Sequence, residues 1–252
     1  MTLVLAIKAA DGVVLASDSE ATSGEELVRT RGAARKLDDL HGRIAFGCSG
    51  SSGLRQRIVA ALRAQLSATD CRTPIDELRT RIHQIVNPLQ QQALAEHVAT
   101  GDAQPPCLAM LFVGVSGGRS WIYEIAADGK EEEHESAEAI GGVRHYAIHG
   151  MVYSQHLGLE QRPPNQVRLA AYRIVLNTIL ADGTGAIGVP VQIYEARESG
   201  VQSLTDNELK VMHDALNALK EQERDLWVRP GRPIGAELAE ELRGGVRLDE
   251  GD

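Results

Sequence analysis

Thr2-Leu-Val-Leu-Ala-Ile-Lys-Ala-Ala-Asp-Gly-Val-Val-Leu-Ala-Ser-Asp18-Ser-Glu-Ala-Thr22 follows a single methionine at the start of the chain. It contains two apolar, β-compatible runs, Leu3 to Ile7 and Val13 to Ala16, hinged at Asp11-Gly12. An Asp-Gly pair favours the positive-φ turn of a tight hairpin. The runs are nearly continuous rather than alternating, so the sheet they predict is covered on both faces.

Outward from the hairpin, Thr22 to Arg35 is polar and reads as a loop with short strands. Arg43 to Phe46 reads as a strand entering the small-residue stretch Gly47 to Gly53. Leu54, Ile58, Leu62 and Leu66 recur every four residues. Ile75, Leu78, Ile82, Val86 and Leu89 follow at helical spacing after Thr73-Pro74. Two helices are predicted there, with a loop from His97 to Pro106. Cys107 to Val115 and Ser120 to Ala126 read as strands about Gly117-Gly118, and one polar strand continues past Asp128-Gly129 to Ala139. A helix is expected after Gly141-Gly142, running through Leu157. Another, apolar on most sides and therefore buried, is expected from Val167 to Ala181. Val189, Val191 and Ile193 alternate as a strand.

This order predicts an α+β layered sandwich, with helices on the outer faces of stacked antiparallel sheets. Residues 1–200 are read as one domain. Residues 201–252 are read as a C-terminal extension, with a helix opened by the capping box Thr205/Glu208 and a polar tail from Arg229.

The chain has 252 residues, 43% hydrophobic and 24% charged, enough apolar material for a real core. A net charge of −9 without a basic stripe argues against a nucleic-acid binder. No apolar run approaches the roughly 20 residues that span a bilayer. Met1 to Ile7 lacks the basic start and cleavage site of a signal peptide. Cys48, Cys71 and Cys107 are odd in number and widely spaced, which fits a reducing, cytoplasmic setting.

Thr2 carries the chemistry. Methionine is generally trimmed before a small residue, and an N-terminal threonine then holds a nucleophile and a base together. Its α-amine has an ordinary pKa of about 7.7–8.0 and takes the hydroxyl proton at little cost. A hydroxyl still needs a nearby cation, and a carboxylate to hold that cation. Many proteins begin Met-Thr, so the inference needs its context.

The quoted opening resembles that of proteasome β-subunits and the related bacterial peptidase HslV. In that family the threonine begins the mature chain, a "-DGVVLA-" hairpin follows, and an acid lies sixteen residues after the nucleophile, as Asp18 does here. Lys36-Leu37 and Gly50-Ser51-Ser52-Gly53 match later motifs in order and spacing, with two extra residues before Lys36. Ala139-Ile-Gly-Gly142 and Ala181-Asp182-Gly-Thr-Gly185 match more loosely. The resemblance covers about residues 2–195. It implies the four-layer αββα fold of N-terminal-nucleophile hydrolases and a self-compartmentalising peptidase acting on peptides or unfolded chains.

Residue by residue, it implies Thr2 as nucleophile and Lys36 as the cation that lowers the hydroxyl pKa. Asp18 would orient Lys36, the Gly50 N–H would form the oxyanion hole, and Asp182 would support the terminal amine. Ala21, Ala34, Cys48 and Ser52 would line a small, uncharged substrate pocket that admits apolar side chains. It further implies a homo-oligomeric ring, with no cofactor and no metal. An ATPase partner is left open.

There are departures. Gly142 and Gly185 stand where the family often has serines near the amine, and Glu20 stands where a basic residue is common. The extension beyond about residue 200 is longer than in the simplest bacterial members. These features resemble a divergent bacterial homologue or its relative Anbu. They keep two alternatives open: a catalytically silent ring that binds peptides, and an amidase acting on small amides. His145, His149 and His156 fall on one predicted helix, but no acidic or cysteine partner lies nearby to complete a metal site.

Overall fold

The computed structural model describes residues 2–23, 28–30, 34–100, 106–156, 158–183 and 187–228. The predicted hairpin is formed by β1 (Val4–Ala9) and β2 (Gly12–Ser17). Eleven of its twelve residues are buried: all of β2, and all of β1 except Lys8. This is the two-faced burial that the continuous apolar runs predict.

The chain continues through β3 (Ala21–Ser23), β4 (Val28–Thr30), β5 (Leu37–Leu40) and β6 (Ile44–Gly50) to helices α1 (Ser52–Gln65) and α2 (Ile75–Thr100). Strands β7 (Leu108–Ser116), β8 (Arg119–Ile125), β9 (Glu131–His134) and β10 (Ala137–Ile140) follow. Helices α3 (Arg144–His156) and α4 (Pro164–Ala181), strands β11 (Gln192–Arg197) and β12 (Gly200–Ser203), and helix α5 (Asp206–Val228) complete the order. Two five-stranded antiparallel sheets result, β10-β1-β2-β11-β12 and β5-β6-β7-β8-β9, with β3 and β4 as a separate pair.

The burial pattern gives four layers. Val4, Ala6, Val13, Leu15, Leu37, Ala45, Leu111, Val113 and Ile122 form the apolar cluster between the two sheets. On the opposite face of the second sheet, Phe46, Phe112, Trp121 and Tyr123 pack with Ile58 and Leu62 of α1 and Leu78 and Ile82 of α2. Each such aliphatic or aromatic side chain contributes roughly 1.5–3 kcal/mol on leaving water. Helix α4 covers the first sheet along β1 and β2, and α3 packs beside it. The sheets approach closely at Gly47, where a Cβ would lie 2.6 Å from Val4 Cγ1 and 2.9 Å from Leu37 Cδ2. No β-carbon fits there.

Several boundaries differ from the sequence reading. Helix α2 continues through Pro88 to Thr100, past the expected loop start at His97. Proline removes one N–H from the ladder, and the turns on either side hold the helix together. The polar run to Ala139 is two strands, β9 and β10, which belong to different sheets. Strand β5 was hidden by its acids: Asp38 is taken up by Arg63 at 2.8 Å and Arg35 at 3.1 Å. Strand β12 carries the first sheet to Ser203, and the chain divides into compact units Met1–Leu209 and Lys210–Asp252. The capping box at α5 forms as expected, with Thr205 N donating to Glu208 Oε2 at 2.8 Å and Glu208 N to Thr205 Oγ1 at 3.3 Å. The tail from Arg229 lies outside the described residues.

One polar clamp closes the sheet edges. His134 of β9 faces Glu124 of β8 at 3.0 Å through Nε2 and Glu138 of β10 at 3.2 Å through Nδ1. It thereby ties one sheet to the other. Burial pulls the imidazole down, but the carboxylates Glu124, Glu138 and Glu132 together outweigh it and hold His134 above its ordinary value. A histidine raised in the folded state stabilises fully below its unfolded pKa, about 6.5, and loses that contribution as pH rises through the folded value. The expected result is that the wild-type Tm falls relative to that of His134→Gln as pH is raised from 5.5 to 8.5. Parallel Tm curves would refute the charged clamp.

Candidate active site

Asp18 organises the site. It follows β2 directly and is fully buried. Its Oδ1 accepts from Leu3 N at 2.9 Å. Its Oδ2 accepts from Glu20 N at 3.1 Å, Gly188 N at 3.3 Å and Lys36 Nζ at 2.6 Å. A carboxylate removed from water needs such donors, because burying it unpaired costs several kcal/mol. Burial pulls the Lys36 ammonium below the usual lysine range, and the Asp18 carboxylate opposes that pull.

Thr2 enters this arrangement through the backbone. The next residue, Leu3, donates to Asp18, and the Thr2 carbonyl lies against Gly141 just beyond β10. Gly141 has φ +121°, and a Cβ there would sit 1.8 Å from the Thr2 oxygen. The chemistry available is that of a hydroxyl-bearing residue next to the Leu3 N–H, which binds the acid that holds a buried cation.

Gly50 ends β6 opposite Leu108, with φ +129°. A Cβ there would meet the Cys107 carbonyl oxygen at 2.0 Å. Only glycine fits. Ser51 N bonds the same Cys107 oxygen at 2.8 Å, and the Ser51 side chain caps α1. This fixes the Gly50 turn.

Asp182 is buried at the end of α4, and its carboxylate accepts from Ile187 N at 3.3 Å. It therefore braces the segment whose next residue, Gly188, donates to Asp18.

The pocket candidates are placed unequally. Ala34 is half-buried two residues before Lys36, and Ser52 is exposed at the start of α1. Cys48 is buried beneath α1 in the outer cluster, where loss of hydration pushes its thiol up to about 12. That is the opposite of an activated nucleophile. Ala21 begins β3, with its side chain outside the described residues. Met1, Thr184 and Gly185 also lie outside them, as do the side chains of Ser154, His149 and His156. Gly142 is exposed.

Among the described residues, Glu124, His134 and Glu138 form the group with metal-ligand spacing, their donor atoms lying within 4.8 Å of one another. Each imidazole nitrogen already faces a carboxylate, so protons satisfy the group. No helix among the described residues is long and apolar enough to cross a membrane.

Three residues of the site escaped the sequence reading: Gly47, Gly188 and Gln192. Gly47 carried a signal, since glycine inside a strand marks a close approach of backbone. The others depend on contacts across more than 150 residues.

A family profile for proteasome subunits matches residues 2–164. The chain belongs to the proteasome family. A proteasome subunit beta from Methanococcus vannielii is 24% identical over 204 residues, 79% of this chain and 85% of that protein. Among solved structures, Anbu (ancestral beta-subunit) from Yersinia bercovieri matches with TM-score 0.68 and 17% identity, covering 92% of this chain and all of that one. An Anbu mutant from Hyphomicrobium sp. matches with TM-score 0.64 and 13% identity over 91% of this chain and 97% of that one. At these identities the structural likeness speaks for the fold: the proteasome-like αββα sandwich.

Proposed function

We propose that this proteasome-family chain is an N-terminal threonine peptidase, active once Met1 is removed, that hydrolyses peptides or unfolded chains inside a homo-oligomeric ring. The observation that carries this reading is the buried Asp18–Lys36 pair, held at 2.6 Å and tied to the backbone one residue beyond Thr2.

In the first step the Thr2 hydroxyl oxygen attacks the scissile carbonyl, and its proton passes to the Thr2 amine, directly or through water. Lys36 supplies the positive field that lowers the cost of the alkoxide, and Asp18 holds Lys36. The Gly50 N–H stabilises the tetrahedral oxyanion. Collapse of the intermediate breaks the C–N bond. The leaving amine takes the proton, and an ester on Thr2 remains. Water then attacks the ester with the Thr2 amine as base, and releases the acid and the free hydroxyl. Asp182 steadies the amine side of the site through the 187–188 segment. Ala21, Ala34, Cys48 and Ser52 favour apolar substrate side chains. Residues that follow β12 form an appendage to the peptidase domain, and the setting is cytoplasmic.

Intact mass before and after a peptide-epoxyketone tests this, because the probe needs both the hydroxyl and the free amine. Loss of Met1 and one adduct per chain are expected, with no adduct on Thr2→Ala. Met1 lost without an adduct would favour a silent peptide-binding ring, the reading to which the bare Gly142 position points.

A further inference from the structure

Lys36 stands just before β5, an edge strand of its sheet. Its backbone is held from the other sheet. Gln192, the first residue of β11, points its Oε1 at the N–H groups of Lys36 and Leu37, at 3.1 and 3.4 Å. Its Nε2 donates to the Ala34 carbonyl at 2.5 Å. One side-chain amide thus replaces a missing neighbour strand for residues 34–37. Two residues along β11, the Tyr194 hydroxyl accepts from Arg35 at 2.9 Å. Four residues before Gln192, Gly188 donates to Asp18. A single short segment therefore braces both members of the buried pair, Asp18 through Gly188 and Lys36 through Gln192.

The side-chain type matters. A carboxamide is neutral and offers an acceptor and a donor at once. A glutamate would set a second oxygen against the Ala34 carbonyl, and a leucine would leave two N–H groups and one carbonyl without this partner.

We propose that Gln192 is a positioning residue for the reaction: it sets the place of Lys36 relative to Asp18 and Thr2 and, through Ala34, the wall of the substrate pocket. This rests on the threonine-peptidase reading. The field of Lys36 at Thr2 falls with distance. A nearby ammonium disfavours a second one, so loosening Lys36 is expected to move the acid limb of the rate profile to higher pH.

The test follows epoxyketone modification of the full chain by intact mass, against probe concentration and pH, for wild type, Gln192→Leu and Gln192→Glu. Amide hydrogen exchange at Lys36 and Leu37 is measured alongside. In Gln192→Leu the maximal rate is expected to fall by about tenfold or more, as for a modest misplacement of a catalytic group. Its acid limb is expected at higher pH, and the two amides are expected to exchange at least about tenfold faster, as for a hydrogen bond lost. Gln192→Glu keeps the acceptor, so it is expected to recover most of the maximal rate while needing more probe for half-saturation. A wild-type rate and acid limb in Gln192→Leu would overturn the proposal. So would a uniform loss at every pH that Gln192→Glu does not recover, which marks a merely structural residue. No adduct on wild type would sink the peptidase reading and the catalytic role of Gln192 with it. The exchange rates would then still decide whether the bracket exists, and equal rates in wild type and Gln192→Leu would remove it too.

Discussion

Asp18→Asn is expected to lower the midpoint of thermal unfolding by roughly 6–20 °C and to abolish modification of Thr2. Removing one partner of a buried ion pair costs about 3–5 kcal/mol, because the other charge is left in a dry site. A chain of this size loses about 2–4 °C of Tm per kcal/mol. Asparagine makes matters worse than a simple loss of charge. Its NH2 group would face one or more of the donors that Asp18 now accepts, from Leu3, Glu20, Gly188 and Lys36. Donor would meet donor. Differential scanning calorimetry and intact mass after the epoxyketone read the two effects on one preparation. A Tm within 2–3 °C of wild type would mean that the pair contributes little to the fold, in the manner of an exposed pair.

Gly141→Ala is expected to slow adduct formation by about a hundredfold or more while leaving most of the fold in place. A positive φ outside the regions open to L-residues costs about 1–3 kcal/mol. Here that strain comes with a direct collision, because the new Cβ would occupy space 1.8 Å from the Thr2 carbonyl oxygen. Neither group is a flexible side-chain tip, so the backbone must move, and the residue that moves carries the hydroxyl. Misplacement of about 1 Å costs on the order of a hundredfold in rate. Single-turnover modification rates and Tm, measured together, separate this from general unfolding. A variant that reacts as fast as wild type would show that the Gly141 contact does not set the position of Thr2.

Legibility in the sequence followed the range of the contacts. Strands β1 and β2 were readable because their burial on both faces appears as unbroken apolar runs on either side of Asp11-Gly12. Asp18 and Lys36 were readable as a spaced motif, and they do meet. Strand β5 was not, because Leu37-Asp-Asp-Leu40 resembles a strand only once Arg63 and Arg35 have taken up Asp38. The split between β9 and β10 was equally hidden. Glutamates and a histidine line that edge, so neither strand shows apolar alternation, and the clamp on His134 is visible only in three dimensions. Gln192 sat inside a run read for its valines and isoleucine. The face of β11 that holds residues 34–37 is the other one, with Gln192 and Tyr194 turned toward the neighbouring sheet.

The donors to Asp18 come from positions 3, 20, 36 and 188. A chain emerging from the ribosome presents Thr2 long before Gly188. Until the last of these segments arrives, the carboxylate stays wet and the lysine is not held. A half-made chain therefore lacks the held Asp18–Lys36 pair. On the threonine-peptidase reading, reactivity is withheld from half-made and misfolded copies, and the arrival of residues 188–192 serves as the safety catch.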